Sequence, residues 1–174
     1  KLCYLGSANN IIDIDMICKV ISEIKKYKNV HLSFIGSGEN KDYFLQRVKE
    51  AGCGVTDYAA IYDDNEKEKI LLQCHFGLNI MKPQVCVGLT LKSLEYFSCA
   101  LPIINTIPCD TENLISYYGA GINVGNKPED VGEMIKTLTP GGLYEMKINA
   151  LRLFNENLSV SHFNKEFEQI FNIL

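Results

Sequence analysis

The chain has no tryptophan, only three histidines and five prolines in 174 residues, and no Cys-x-x-Cys pair among its seven cysteines. Each shortage excludes a class of protein. An odd, unpaired set of cysteines supports neither a zinc ribbon nor a closed disulfide framework. Cys3, Cys18, Cys53, Cys74, Cys86, Cys99 and Cys109 lie in or beside apolar segments and read mostly as buried, reduced thiols of a cytosolic protein. His31 begins a strand-like run, His75 precedes one and His162 lies near the end of the chain, so they build neither a metal set nor a catalytic triad. Serine-nucleophile, cysteine-nucleophile and paired-carboxylate signatures are missing as well. No apolar run approaches the roughly 20 residues that cross a bilayer. With a formal charge of -4 and the two signs mixed along the sequence, there is no basic field to attract a nucleic-acid backbone.

What is present is an ordinary globular composition, 47% apolar and 22% charged, enough for one domain over residues 1–174 with a core of its own. The chain opens on Lys1 directly before a strand-like run, without an initiator methionine or a leader, which suggests a segment of a longer protein. Short β-type runs at residues 2–5, 31–35, 55–60, 76–80, 102–105 and 121–124 alternate with segments of helical period. This predicts an α/β fold with a Rossmann-like parallel sheet of about six strands and helices on both faces. In the first predicted helix Ile14, Ile17, Ile21 and Ile24 recur at steps of three and four and share one face. Further helices are expected over 41–51, 66–73, 91–99, 111–118 and 129–137. Pro140-Gly141-Gly142 reads as a breaker before two closing helices, 143–155 and 161–173, the last capped by Ser161.

Ligands of such sheets bind outside the carboxyl ends of the strands, so the loops there carry the candidates: Gly6-Ser7, Gly36-Ser37-Gly38, Ile61-Tyr62-Asp63 and Gly88-Leu89-Thr90. Gly36 and Gly38 either let a ligand approach the backbone or simply form a tight turn. A dinucleotide fingerprint would need a third glycine where Lys41 stands. The Gly88–Leu91 loop leads straight into a helix whose first turn offers free N–H groups, an anion-binding arrangement. Thr90 suits the N-cap. Lys92 puts a positive charge in a first turn that usually prefers a negative one, which a bound phosphate would explain. Glu95, one turn on, can accept hydrogen bonds from two ribose hydroxyls. Alternatively Lys92 and Glu95 form a solvated pair at i,i+3. Asp63 and Asp64 serve equally as helix-capping residues.

The whole chain resembles the C-terminal, donor-binding domain of retaining GT-B glycosyltransferases of the group 1 family. Ser33-Phe34-Ile35-Gly36-Ser37-Gly38-Glu39 is similar to that family's V-G-x-G-P turn. Leu94-Glu95-Tyr96-Phe97-Ser98-Cys99-Ala100-Leu101-Pro102-Ile103-Ile104 is similar to its L-E-A-M-A-x-G-x-P-V-I. The resemblance continues through Asp110-Thr111-Glu112-Asn113-Leu114-Ile115 and Tyr118-Gly119-Ala120-Gly121. It implies that Glu95 holds the donor ribose, backbone amides from Gly88 to Leu91 approach the diphosphate, Ile61 to Asp63 line the base, and Gly6 sits at an interdomain cleft. It implies no metal and no cofactor beyond the substrate nucleotide-sugar.

Two departures stand out. The family's first glutamate is Val87 here, and its two basic residues, an arginine after the first glycine and a lysine a few residues later, fall on Ser7 and around Asn10 to Ile12. Lys92 is the candidate replacement charge, the residue expected to stabilise the departing diphosphate. The Gly-Leu-Thr-x-Lys-Ser pattern resembles a subgroup making capsular or other surface polysaccharide. The expected function is donor binding, UDP-sugar favoured, for hexosyl transfer to a polysaccharide or lipid-linked acceptor. The expected partners are a missing N-terminal acceptor domain and that acceptor. The chain alone is expected to be inactive and cytoplasmic, peripheral at the inner face of a membrane in the full-length enzyme. The alternatives are a non-catalytic GT-B-like partner subunit and a UDP-sugar 2-epimerase, for which no acid or base is identifiable.

Overall fold

Runs of β-branched and leucine residues that are buried on both faces make parallel strands, and each such run here is followed by an amphipathic helix that covers one face. The computed structural model of the protein describes residues 1–125 and 127–171. Strands β1 (Leu2–Leu5), β2 (His31–Ile35), β3 (Gly54–Asp57), β4 (Phe76–Asn79), β5 (Ile103–Asn105) and β6 (Gly121–Asn123) form one sheet in the order β3-β2-β1-β4-β5-β6, all parallel. The helices are α1 (Ile14–Lys25), α2 (Lys41–Glu50), α3 (Asp64–Leu71), α4 (Leu91–Ser98), α5 (Asp110–Tyr118), α6 (Glu129–Thr137), α7 (Pro140–Leu153) and α8 (Val160–Phe171), with a π-helical segment at Phe154–Leu158 joining the last two. The predicted α/β class and strand number hold.

Two cores flank the sheet. Ile17, Val20 and Ile21 of α1, Phe44 and Val48 of α2 and Val131 of α6 pack with Tyr4, Phe34 and Ile104 on one face. On the other face Ile70 and Leu71 of α3, Tyr96 and Phe97 of α4, Ile115 of α5 and Leu153 of α7 pack with Cys3, Leu5 and Ile103. Successive residues of β1 thus feed opposite cores, as the two-residue strand period requires. All seven cysteines are free thiols, and Cys3, Cys18, Cys53 and Cys74 are buried.

Local chemistry moves several predicted boundaries. The third strand stops at Asp57 rather than residue 60: the Asp57 carboxylate accepts the Ala59 N–H at 2.9 Å and Ala59 takes a positive φ of 55°, which turns the chain out of the sheet. Pro140-Gly141-Gly142 is not a breaker. Thr139 caps α7 by accepting the Gly142 N–H at 3.1 Å, and Pro140 occupies the first turn, where its missing N–H costs nothing. The cap of α8 is Ser159, whose hydroxyl accepts the His162 N–H at 3.1 Å, and not Ser161. Residues 172 and 173 of that predicted helix lie outside the described residues.

The strand order reverses between β1 and β4, and there the strands splay. β1 pairs with β2 along its whole length but with β4 only at Leu2 and Cys3. Tyr96 fills the opening from α4. Its hydroxyl accepts the Leu5 N–H at 2.8 Å and donates to the Cys3 carbonyl at 3.3 Å, replacing the ladder bonds that β4 no longer supplies. Gly77 makes room, since a Cβ there would stand 2.6 Å from the Tyr96 ring.

Candidate functional site

At that switch point the β1–α1 and β4–α4 loops face each other across the carboxyl edge of the sheet. They are tied together where Ile12 and Met81 form an antiparallel bridge and the Lys82 N–H donates to the Ile11 carbonyl at 2.9 Å. The crevice is built mainly around the start of α4. Thr90 is the N-cap, its hydroxyl receiving the Ser93 N–H at 3.3 Å. The same buried hydroxyl lies 2.7 Å from the Ser93 hydroxyl and donates to Asn79 Oδ1 at 3.0 Å. The N–H groups of Leu91 and Lys92 precede any carbonyl that could close an intrahelical bond. Gly88 is fixed from behind: its carbonyl accepts the Thr111 N–H at 3.1 Å and the Thr111 hydroxyl.

Behind Thr90 runs a ladder that the sequence did not disclose. Asn79, Asn105 and Asn123 are the last residues of β4, β5 and β6 and stand in register. Asn79 Nδ2 donates to Asn105 Oδ1 and Asn105 Nδ2 to Asn123 Oδ1, both at 3.0 Å. Asn123 continues to the Glu112 carbonyl and the Ser116 hydroxyl of α5. The only available signal was an asparagine at the end of three successive strand runs.

Lys92 does not pair with Glu95. Its ammonium lies 4.8 Å from the centroid of the buried Tyr4 ring, and no carboxylate pairs with it among the described residues. Burial pushes its pKa down to about 8. A mostly desolvated cation beside free helix N–H groups is an unsatisfied arrangement that an anion would complete. Glu95 turns instead to Lys67 of α3, whose ammonium donates to Glu95 Oε2 at 2.7 Å. Lys67 also lies 2.9 Å from Asp64, and the two carboxylates, Glu95 the more strongly, raise its pKa.

The other predicted positions divide. Gly6 has a φ of +116°, and a Cβ there would meet nothing within 4 Å, so it opens onto space. Ser7 is exposed, its carbonyl accepting the Tyr4 hydroxyl at 2.7 Å. A Cβ on Gly36 would strike the Gly6 carbonyl and one on Gly38 the Ala8 backbone. Those two glycines therefore seat one loop on the other, with the Ala8 N–H donating to the Ser37 carbonyl at 2.7 Å. Lys41, where a dinucleotide fingerprint has glycine, spans to Asp57 at 2.9 Å. Asp63 caps α3 by accepting the Glu66 N–H at 2.8 Å. Ile61 packs against the core that holds Tyr96, Leu89 does the same, and Tyr62 and Leu91 project into solvent. Val87 packs against the opposite core.

Two hollows elsewhere on the surface do not touch this crevice. One, of about 430 Å³, lies at the amino ends of the strands beside Leu2, Val30, Phe76 and Leu138. The other lies between α1, α2 and the start of α6. Among the described residues no three His, Cys, Asp or Glu side chains cluster as metal ligands.

Residues 1–139 match the family model described as glycosyl transferases group 1. The chain belongs to this family. No curated protein matches the sequence. Among solved structures, a TarM variant from S. aureus, crystallised with fondaparinux, alpha-GlcNAc-glycerol and UDP, superposes with a TM-score of 0.75 at 16% identity over 99% of this chain and 35% of its own. HepE from Anabaena, in complex with UDP and glucose, gives 0.74 at 12% identity over 99% of this chain and 48% of its own. The C-terminal domain of a group 1 family glycosyl transferase, LpcC, from Francisella tularensis gives 0.70 at 18% identity, covering 91% of this chain and 86% of that domain. The chain thus spans between a third and a half of the first two proteins and has the fold of the C-terminal half of GT-B glycosyltransferases.

Proposed function

We propose that this group 1 glycosyltransferase domain binds the donor nucleoside-diphosphate sugar, with UDP as the preferred nucleotide, at the β1–β4 switch point. The observation that carries this reading is the Lys92 ammonium, desolvated over Tyr4, free of any carboxylate among the described residues, and set in the first turn of α4. A diphosphate placed there takes hydrogen bonds from the amides between Gly88 and Leu91 and charge from Lys92. Glu95, one turn on, accepts the ribose hydroxyls, and Ile61, Tyr62 and Asp63 border the base. Gly6 and Ser7 face the sugar side. UDP in the matching TarM and HepE structures supports the choice of nucleotide.

Catalysis in this arrangement is positioning plus stabilisation of charge on the departing diphosphate by Lys92 and the helix amides, with no metal invoked. The acceptor, a polysaccharide or lipid-linked glycan of the bacterial surface, takes a hexosyl group and is bound by a second, N-terminal domain that completes the enzyme. The exposed apolar residues Val160, Phe163 and Ile170 of α8 suit contact with that domain. The full-length enzyme works in the cytoplasm, at the membrane's inner face, and the present half alone does not turn over. Calorimetric titration with UDP tests the site: Lys92→Ala and Glu95→Ala should each weaken binding about tenfold or more. No UDP binding, or binding indifferent to both changes, overturns it.

A second reading rests on Val87. Where the family's sugar-contacting glutamate is expected, an apolar side chain packs against the core, as in a subunit that keeps the fold without donor chemistry and supports an active transferase. Full-length protein that binds no nucleotide and co-purifies with another transferase favours this reading.

A further inference from the structure

Glu95 is not free to swing. It projects from α4 with its side chain 41% exposed, and an isolated glutamate at such exposure samples many rotamers. Here Lys67 reaches from α3 on the neighbouring crossover and holds Oε2 at 2.7 Å, leaving Oε1 without a protein partner among the described residues. Lys67 is well suited to the task. Its side chain is only 16% exposed, and its second partner, Asp64, is 93% exposed and solvated. The firm end of the three-residue chain is therefore the Lys67–Glu95 contact.

We propose that Lys67 is a positioning residue for the donor nucleotide: it fixes the Glu95 carboxylate so that Oε1 meets the ribose hydroxyls, and so sets the preference for ribose over 2′-deoxyribose. This rests on the donor-binding reading above and adds the residue that makes the ribose contact selective. The cause is preorganisation. A carboxylate already held in place loses little rotamer freedom on binding, a saving that is largest for the ligand that offers it both hydroxyls. The contact links α3, whose N-cap is Asp63, to α4, so the base-side loop and the ribose carboxylate are held in one unit.

The test is calorimetry with UDP and 2′-deoxy-UDP on the wild-type protein, Lys67→Met, Lys67→Arg and Glu95→Gln. Wild type should favour UDP. Lys67→Met should lower the UDP affinity about three- to tenfold and that for 2′-deoxy-UDP, which keeps only the 3′-hydroxyl, by clearly less, and Lys67→Arg should restore most of the preference. Because the pair is partly exposed, Lys67→Met should fold, and an unaltered melting temperature confirms it. A preference that Glu95→Gln abolishes and Lys67→Met leaves intact overturns the proposal alone. Equal losses for both nucleotides in Lys67→Met overturn it too, since that is the signature of a structural role. No UDP binding by wild type overturns the donor reading and this proposal together.

Discussion

At the scale of the residue, Lys92 carries two opposed costs. With nothing bound, its ammonium is desolvated and its folded pKa, about 8, lies below the ordinary lysine value of 10.5. Between those values the unfolded chain holds the proton that the folded chain has released, so the stability of the free protein rises as pH climbs from 8 towards 10.5. Below 8 the penalty for the buried charge is fully present. Lys92→Met should therefore stabilise the free protein by about 1–2 kcal/mol at pH 7, read from denaturant unfolding. Nucleotide binding runs the other way, because an anion favours the charged form. UDP affinity should fall once the pH exceeds 8, and Lys92→Arg, which stays protonated, should flatten that profile. A pH-independent UDP affinity in wild type would remove Lys92 from the site.

At the scale of the element, α4 does most of the arranging. One end presents Thr90, Lys92 and Glu95. The middle of the helix sends Tyr96 into the gap between β1 and β4. Those strands part beyond Cys3, and they can part without orphaning backbone groups because the Tyr96 hydroxyl meets the Leu5 N–H and the Cys3 carbonyl. Gly77→Ala should then be costly. Its new Cβ would meet the ring at 2.6 Å, and moving the ring would break both hydrogen bonds. We expect a loss of about 2–4 kcal/mol in unfolding free energy, exceeding the loss in Tyr96→Phe, which keeps the packing and gives up only the hydroxyl. The helix's own sequence could not announce this. Tyr96 reads as one more apolar residue on a buried face, and its partners lie more than ninety positions away. The loop glycines were visible but two-sided: Gly36 and Gly38 needed the observed contact with Gly6 and Ala8 to be read as loop packing. Lys92 and Glu95 were legible only as candidates for an anion and a ribose contact on one helix turn. Lys67 was not, because its role depends on where α3 crosses the sheet.

At the scale of the molecule, the alternation of short apolar runs and helical periods specified the α/β class, and the boundary errors at Asp57, Thr139 and Ser159 fall at junctions where one side-chain cap or turn decides the outcome. The candidate site draws on three crossovers, β1–α1, β3–α3 and β4–α4, that only the folded sheet brings together. A ligand that bridges them should stabilise the whole domain rather than one loop. UDP at about 100 times its dissociation constant contributes roughly 2.7 kcal/mol to the folded state by mass action, which for a chain of this size raises the melting temperature by about 5–10 °C. Uridine, without the diphosphate, should give a much smaller shift at equal concentration, and Lys92→Met should bring the UDP shift close to the uridine value. If uridine and UDP stabilise the protein equally, the start of α4 is not where the phosphates sit.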